Sequence, residues 1–418
     1  MEKNKLFRSD ILISKIGFGC WGIGSDSYGD ISESKSIDVL NYALSLGINF
    51  YDTSSLYGNR LSEKRLGKFI NKNKNKDIVI STKAGLLPHS PFNMKRNFNK
   101  AFIEKSINKS LKLLNKNIDI LFLHSPLPDD IINNDKLINF LIKKKELGDI
   151  KLIGLSADSP NHIIKIIKEI DFDIVQTNFN LMDQRIIDLN LVNNLFKKKI
   201  NLVARTPLAF GFLSGNIDLR KLKTAKDHRK HWSSKQLNLW NNGYKKFEEI
   251  RKNYNLNPAQ FAIKFCSSFK EIQTTIPGMM TRKDVIENII ASYEEKITKE
   301  HKKNSYSIYK RNNFLLIMLK AGKDLNKTIP SKFQNYLFHN KPILALSDGE
   351  VYKFVKNFYL GFASKSENIK QYVEMFHKIK LLKQEQYKKI TNNTQKFYLK
   401  NFSQKIINIK LINEINEI

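Results

Sequence analysis

Only two cysteines occur in the 418 residues. Cys20 and Cys266 lie far apart and match neither a metal-ligand spacing nor a disulfide framework; each sits in an apolar context, as a small core residue does. Long apolar runs are missing as well. The longest, Phe314 to Leu319, falls far short of the ~20 residues that a bilayer span needs. The N-terminus, Met1-Glu2-Lys3-Asn4-Lys5, leads into short apolar patches broken by Ser9, Asp10 and Ser14, not into a signal-peptide core. The expectation is a soluble, cytoplasmic chain with no membrane span. Acids are scarce too, 40 against 71 Lys and Arg, for a net charge of +31. Such an excess usually suggests nucleic-acid or anionic-membrane binding. Here it is almost all Lys, spread among abundant Asn and Ile, with no Arg-rich run and no basic-aromatic interleaving. These three residue types share A/T-rich codons, so no nucleic-acid partner is expected.

What is present is an alternation. The apolar pattern predicts eight short strands, at Ile16–Cys20, Ile48–Tyr51, Asp77–Lys83, Ile118–His124, Ile150–Leu155, Phe172–Thr177, Ile200–Ala204 and Ile272–Ile276. Helical periodicity separates them, including single helices over Arg185–Phe196 and Lys245–Phe269. Short apolar strands separated by helices imply parallel pairing. Eight such units in about 280 residues match an α/β fold of the (β/α)₈ TIM-barrel type. A doubly wound sheet is the rival, but Gly17, Gly19, Gly22 and Gly24 lack the phosphate-loop spacing after the first strand. The expected division is a barrel over 1–295 and a C-terminal region over 299–418.

In a barrel the C-terminal strand ends carry the site. Asp52, Lys83, His124 and Ser156 stand at the ends of strands two to five, with Tyr57 in the loop after strand two. A phenol has a pKa of about 10. A neighbouring ammonium is expected to lower it, a carboxylate to hold that ammonium, and a histidine to bond a substrate oxygen. Such a set suits protonation of a carbonyl oxygen as hydride reaches its carbon.

With these residues the chain resembles the aldo-keto reductase family over about 8–295. Asp52-Thr53-Ser54-Ser55-Leu56-Tyr57-Gly58 with Ser62-Glu63 looks like its first signature, and Thr82-Lys83 and Leu123-His124-Ser125-Pro126 fall where its lysine and histidine are expected. The resemblance implies catalytic roles for Tyr57, Lys83, Asp52 and His124 and a nicotinamide cofactor at the barrel mouth. Ser156 and Gln176 resemble the carboxamide-holding positions, although Ala157 stands where the family often has Asn. Arg205 takes the place of a tyrosine that many members stack on the nicotinamide, and a guanidinium can stack similarly. Pro207, Leu208, Gly211, Leu213 and Gly215 belong to a segment similar to the one that folds over the pyrophosphate. Gly278, Arg282, Glu287 and Asn288 correspond to the adenosine end. There, Gly278 and Asp284 replace the usual 2′-phosphate clamp. The implied cofactor is NADP(H), with NAD(H) as the alternative. The implied partner is a small-molecule carbonyl substrate.

Two stretches remain. The insertion from Asn216 to Asn242 holds His228 and His231, which lack partners at metal-ligand spacing; no metal is expected, and the loop reads as substrate-covering or solvated. After residue 298 a βαβ pattern is expected, with strands at Phe314–Met318 and Pro342–Leu346 and a helix over Ile329–Leu337. With Glu350 and Gly361 it resembles part of the nucleotide-sugar lobe of GT-B glycosyltransferases over about 303–402. The expectation is a smaller, partial Rossmann-like segment, either a remnant or a docking module. It suggests a sugar or nucleotide-sugar as the carbonyl substrate. A non-catalytic cofactor-binding regulatory or scaffold barrel, and a bifunctional sugar-modifying protein, stay open as alternatives.

Overall fold

Strands made of unbroken apolar runs can be satisfied only when both faces are covered. The computed structural model describes residues 1–88, 94–215, 217–222, 227–254, 256–293, 314–318, 333, 336–337 and 341–402. The chain divides into two units, Met1–Ser305 and Tyr306–Ile418.

In the first unit eight strands run in sequence order as one parallel sheet. They are β3 (Phe18–Gly19), β4 (Phe50–Asp52), β5 (Val79–Ala84), β6 (Ile118–His124), β7 (Ile150–Ala157), β8 (Ile174–Asn178), β9 (Asn201–Arg205) and β10 (Thr274–Ile276). Parallel bridges Ile16↔Thr275 and Gly19↔Gly278 close it into a barrel. Inside, Phe50, Val79, Ile120, Phe122, Leu152, Ile174, Val203 and Ile276 form one cluster, with a residue from every strand from β4 to β10. Gly154 leaves room for it: a Cβ there would lie 2.4 Å from the Phe122 ring.

The far end is covered by a hairpin that the alternation did not reveal, β1 (Lys3–Lys5) and β2 (Leu12–Ser14). It inserts Leu6 and Ile13 into the same cluster. Asn49 and Asn201 stitch it down, accepting from the Ser14 and Phe7 amides at 2.7 and 2.8 Å. Three-residue strands are too short to show a period.

Helices begin where caps dictate. Ser32, Asn99, Asn134 and Ser159 each accept an amide of the first turn of Glu33–Ser45, Lys100–Leu114, Asp135–Glu146 and Pro160–Glu169. Two expected helices are broken. Arg185–Phe196 is two pieces, Arg185–Asp188 and Leu191–Lys197, because Asn190 adopts φ 55° between them. Lys245–Phe269 is interrupted before Pro258, where Asn257 and Gln260 form a capping box that starts Pro258–Ser267. Proline removes the donor a continuing helix would need.

In the second unit β11 (Leu315–Met318), β12 (Ile343–Leu346) and β13 (Gly361–Ser364) form a parallel sheet. Helices Glu350–Asn357 and Gln384–Asn401 join its core through Val351, Val355 and Phe397. The expected helix over Ile329–Leu337 lies outside the described residues except for Phe333, Tyr336 and Leu337. No described helix is long and apolar enough to cross a membrane.

One position tests the helix packing around the barrel. Helix Leu61–Lys72 meets Lys100–Leu114 at Gly67, where an added Cβ would lie 1.9 Å from the Leu113 carbonyl oxygen. Alanine improves helix propensity by only about 1 kcal/mol, and backbone cannot swing aside as a side chain can. Gly67→Ala should lower unfolding free energy by about 1–3 kcal/mol, seen as an earlier urea midpoint. An unchanged midpoint would contradict this helix approach.

Candidate functional site

Three strand ends bring the titratable groups together. Asp52 closes β4 in register with Ser81 of β5. Lys83 lies two residues beyond Ser81, on the same face of its strand, and reaches back to Asp52. Its Nζ donates to Asp52 Oδ2 at 2.5 Å and to the Thr53 carbonyl at 2.8 Å, and lies 3.4 Å from Tyr57 Oη. Asp52 Oδ1 accepts from Ser81 Oγ at 2.6 Å and Gln176 Nε2 at 2.8 Å. The loop after β4 delivers Tyr57 because Gly58 takes φ 59°, so close to Gly24 that a Cβ would lie 2.0 Å from its carbonyl oxygen. His124 ends β6, with Nδ1 3.2 Å from Ser54 Oγ. The Trp21 ring stacks on Tyr57 with centroids 5.8 Å apart.

Burial dominates the electrostatics. The Lys83 and Asp52 side chains are 0% and 3% exposed. Burial pushes the Lys83 ammonium down, and Asp52 opposes that shift. Burial also holds the Tyr57 phenol well above its ordinary value; the Asp52 charge adds to the shift, while Arg205 works against it. This reverses the expectation that Lys83 lowers Tyr57. The ammonium is committed to Asp52 at 2.5 Å and stands farther, 3.4 Å, from the phenol. Tyr57 is therefore held in its protonated form.

These groups open into a cavity of about 600 Å³, a size typical of small-ligand sites. Tyr57, Asp52 and His124 line it, and so do Gln176, Arg205, Pro207, Leu208, Gly211 and Gly278. Ser156 is buried just behind, donating to Gln176 Oε1 at 3.0 Å and accepting from Arg205 at 3.0 Å. The other expected cofactor residues stand elsewhere. Leu213 is wholly buried under the loop, and Gly215 caps a short turn at φ 74°. Arg282 pairs with Asp38 outside, Glu287 with Lys283, and buried Asn288 donates to the Gly278 carbonyl. Asp284, which lines the cavity, accepts the Met280 and Thr281 amides at 2.9 Å.

The wall also contains residues that the strand pattern missed. Trp21, Tyr28 and Phe210 line it, with Arg229 from the insertion. The insertion crosses to the first loop, where the His228 amide donates to the Ser27 carbonyl at 3.1 Å. Arg229 pairs with Asp227 at 2.6 Å and donates to the Phe210 carbonyl at 2.7 Å. The Phe210 contact holds a loop in which Thr206, Ala209 and Phe210 all have positive φ, an arrangement that costs energy for non-glycine residues. His228 packs among Trp21, Tyr28 and Trp232 at 4.8–5.9 Å. Burial lowers its pKa although the Ser27 carbonyl opposes the shift. The histidine is thus an aromatic packing group. Among the described residues, no three His, Cys, Asp or Glu converge as a metal site.

The fit to a nicotinamide dinucleotide is good. A cavity of about 600 Å³ offers amide and guanidinium partners at Gln176, Asn178 and Arg205. At Gly278 even an added Cβ would meet nothing within 4 Å, so a ligand can run along its backbone.

The aldo/keto reductase family model matches residues 15–309. An uncharacterized oxidoreductase of Bacillus subtilis, YqkF, is 29% identical over 304 residues, 72% of this chain and 94% of its own length. Aldo-keto reductase yakc [NADP(+)] of Schizosaccharomyces pombe is 28% identical over 290 residues, 66% of this chain and 83% of its own. The NADH-specific methylglyoxal reductase of Escherichia coli is 28% identical over 230 residues, 52% of this chain and 70% of its own. Among solved structures, the holo form of a Bacillus halodurans aldo-keto reductase superposes with a TM-score of 0.59 at 24% identity, covering 73% of this chain and 96% of that one; that likeness concerns the fold.

The buried pair has a measurable consequence. Asp52→Ala leaves the Lys83 ammonium shielded from water without its counter-charge, and should destabilise the first unit by about 3–5 kcal/mol in equilibrium urea unfolding. A loss below about 1 kcal/mol, the range of exposed pairs, would contradict the burial of this pair.

Proposed function

Since the chain belongs to the aldo/keto reductase family and is an NAD(P)H-dependent oxidoreductase acting on carbonyl compounds, we propose that Tyr57 is its general acid. The observation that supports this is the convergence of Tyr57, Asp52 and His124 on one cavity, with Lys83 buried behind them between Asp52 and Tyr57. Bound at the barrel mouth, the reduced nicotinamide supplies hydride to the carbonyl carbon. Tyr57 gives its proton to the carbonyl oxygen. Lys83, 3.4 Å from the phenol oxygen, stabilises the phenolate left behind. Asp52 keeps Lys83 charged and aimed, and Ser81 and Gln176 keep Asp52 in place. His124 positions the substrate oxygen, its ring orientation set by Ser54.

For the cofactor we favour contacts with Gln176, Arg205, Pro207, Leu208, Gly211 and Gly278, with Ser156 behind the wall holding Gln176 and Arg205 in place. NADP(H) remains the proposed form. The name of the fission-yeast relative supports it. The Escherichia coli relative, NADH-specific by name, keeps NAD(H) as the rival. A sugar or nucleotide-sugar as the carbonyl compound rests on the sequence resemblance of the tail alone; its parallel β11–β13 sheet is common to many α/β folds and does not single out a nucleotide-sugar lobe. Trp21, which stacks on Tyr57, and Leu56, Leu86 and Met94 give the cavity an apolar part.

Absorbance assays with NADH and NADPH in parallel, over aldehydes, ketones and keto-sugars, address cofactor and substrate together. Steady oxidation separates an enzyme from a non-catalytic cofactor-binding barrel. Tyr57→Phe should cut kcat by about 10²–10⁴-fold and leave the cofactor Kd within a factor of about two, read by fluorescence titration. Undiminished turnover by that variant would remove Tyr57 from the role.

A further inference from the structure

Arg205 and Asp158 form an ion pair in the cavity wall that the proton-transfer roles leave without a task. All three guanidinium nitrogens are engaged. Nε donates to Asn178 Oδ1 at 2.9 Å, one terminal nitrogen donates to Ser156 Oγ at 3.0 Å, and the other pairs with Asp158. A planar fork held at three corners has a fixed plane and a fixed charge. The Arg205 side chain is 14% exposed, so water screens it weakly. Ser156 and Asn178 are neutral, and the Asp52 charge, which also favours the Arg205 cation, is in direct contact with Lys83 instead. The carboxylate in direct contact with Arg205 is that of Asp158.

We propose that Asp158 is a positioning residue: it holds Arg205 and cancels its charge, and thereby sets how well the cavity accepts the oxidised, positively charged nicotinamide relative to the reduced, neutral one. The inference rests on the Tyr57 reading above. Hydride transfer needs the ring within about 3–3.5 Å of the carbonyl carbon, and that carbonyl has its oxygen at Tyr57 and His124. The ring must then lie in the cavity that Arg205 lines. A reduced ring carries no charge and is nearly indifferent to a fixed cation. An oxidised ring is itself a cation, and in a poorly screened site an uncompensated guanidinium repels it. The Asp158–Arg205 pair presents no net charge, so both forms can bind.

The test titrates the full-length wild type, Asp158→Asn, Asp158→Glu, Arg205→Gln and the Asp158→Asn/Arg205→Gln double variant with both oxidation states of NAD and of NADP. Quenching of tryptophan fluorescence reports binding, since Trp21 lines the cavity, and circular dichroism checks folding. Asp158→Asn should raise the ratio of oxidised to reduced Kd about tenfold, less than an unscreened pair would give because Asp158 is 45% exposed. Asp158→Glu should restore the ratio, and the double variant should bring it back toward wild type. Should Asp158→Asn fail to fold, Arg205→Gln carries the test, because removing the cation must lower the ratio below wild type. Equal weakening of both forms, or an unchanged ratio, would overturn the inference while leaving the Tyr57 reading intact. A wild type that binds neither cofactor would overturn both.

Discussion

A lysine ammonium with no water around it dictates much of this barrel. The Lys83 side chain is 0% exposed, and an unpaired ion in such a place would cost several kcal/mol. It takes Asp52, but one carboxylate cannot be buried on a single ammonium, so Asp52 also accepts from Ser81 and Gln176. Gln176 then needs a donor for its own oxygen and finds Ser156, and Ser156 accepts from Arg205. Satisfying one charge thus recruits β4, β5, β7, β8 and β9. Every link runs donor to acceptor toward Asp52. Partly satisfied, such a network would be worse than an apolar core; complete, it fixes the strand ends on which the chemistry stands.

That dependence explains what could be read from sequence. Asp52, Lys83 and His124 close apolar strands, and a polar residue at such a place must have a partner, so their meeting was predictable from the alternation. Ser156 was legible on the same grounds, Gln176 only through the family resemblance, and the parallel order followed from the spacing. The broken helices were legible only in part. Asn257-Pro258 carries a recognisable start signal, whereas the left-handed Asn190 does not differ on paper from any other asparagine. The hairpin at the closed end escaped notice because two three-residue strands have no period to detect.

Least legible were the loops that shape the mouth. Trp21, Phe210 and Arg229 come from three separate connections, and no periodicity links them. What joins them is tertiary: Arg229 is fixed by Asp227, bonds the Phe210 carbonyl, and lies over the Tyr28 ring at 5.2 Å. The loop it secures has three non-glycine residues in left-handed conformations. Such geometry persists only where the surroundings over-determine it. Here the insertion supplies that constraint, so it is part of the wall and not a solvated excursion.

The pKa of Tyr57 shows how network and wall combine. Lys83 was expected to ease the phenol toward ionisation, yet desolvation, with the Asp52 charge beside it, prevails. The wall that excludes water therefore decides the protonation state, and the network decides where the charge falls once the proton has left. A phenol held protonated is ready to give its proton only when an oxyanion develops within reach. At that moment Lys83, 3.4 Å away, faces a new negative charge it did not have to stabilise before. An interaction that strengthens as the reaction proceeds lowers the barrier, whereas one already present in the resting site does not. On the reading of Tyr57 as general acid, the Lys83 contact is of the first kind, since it grows as the phenolate forms.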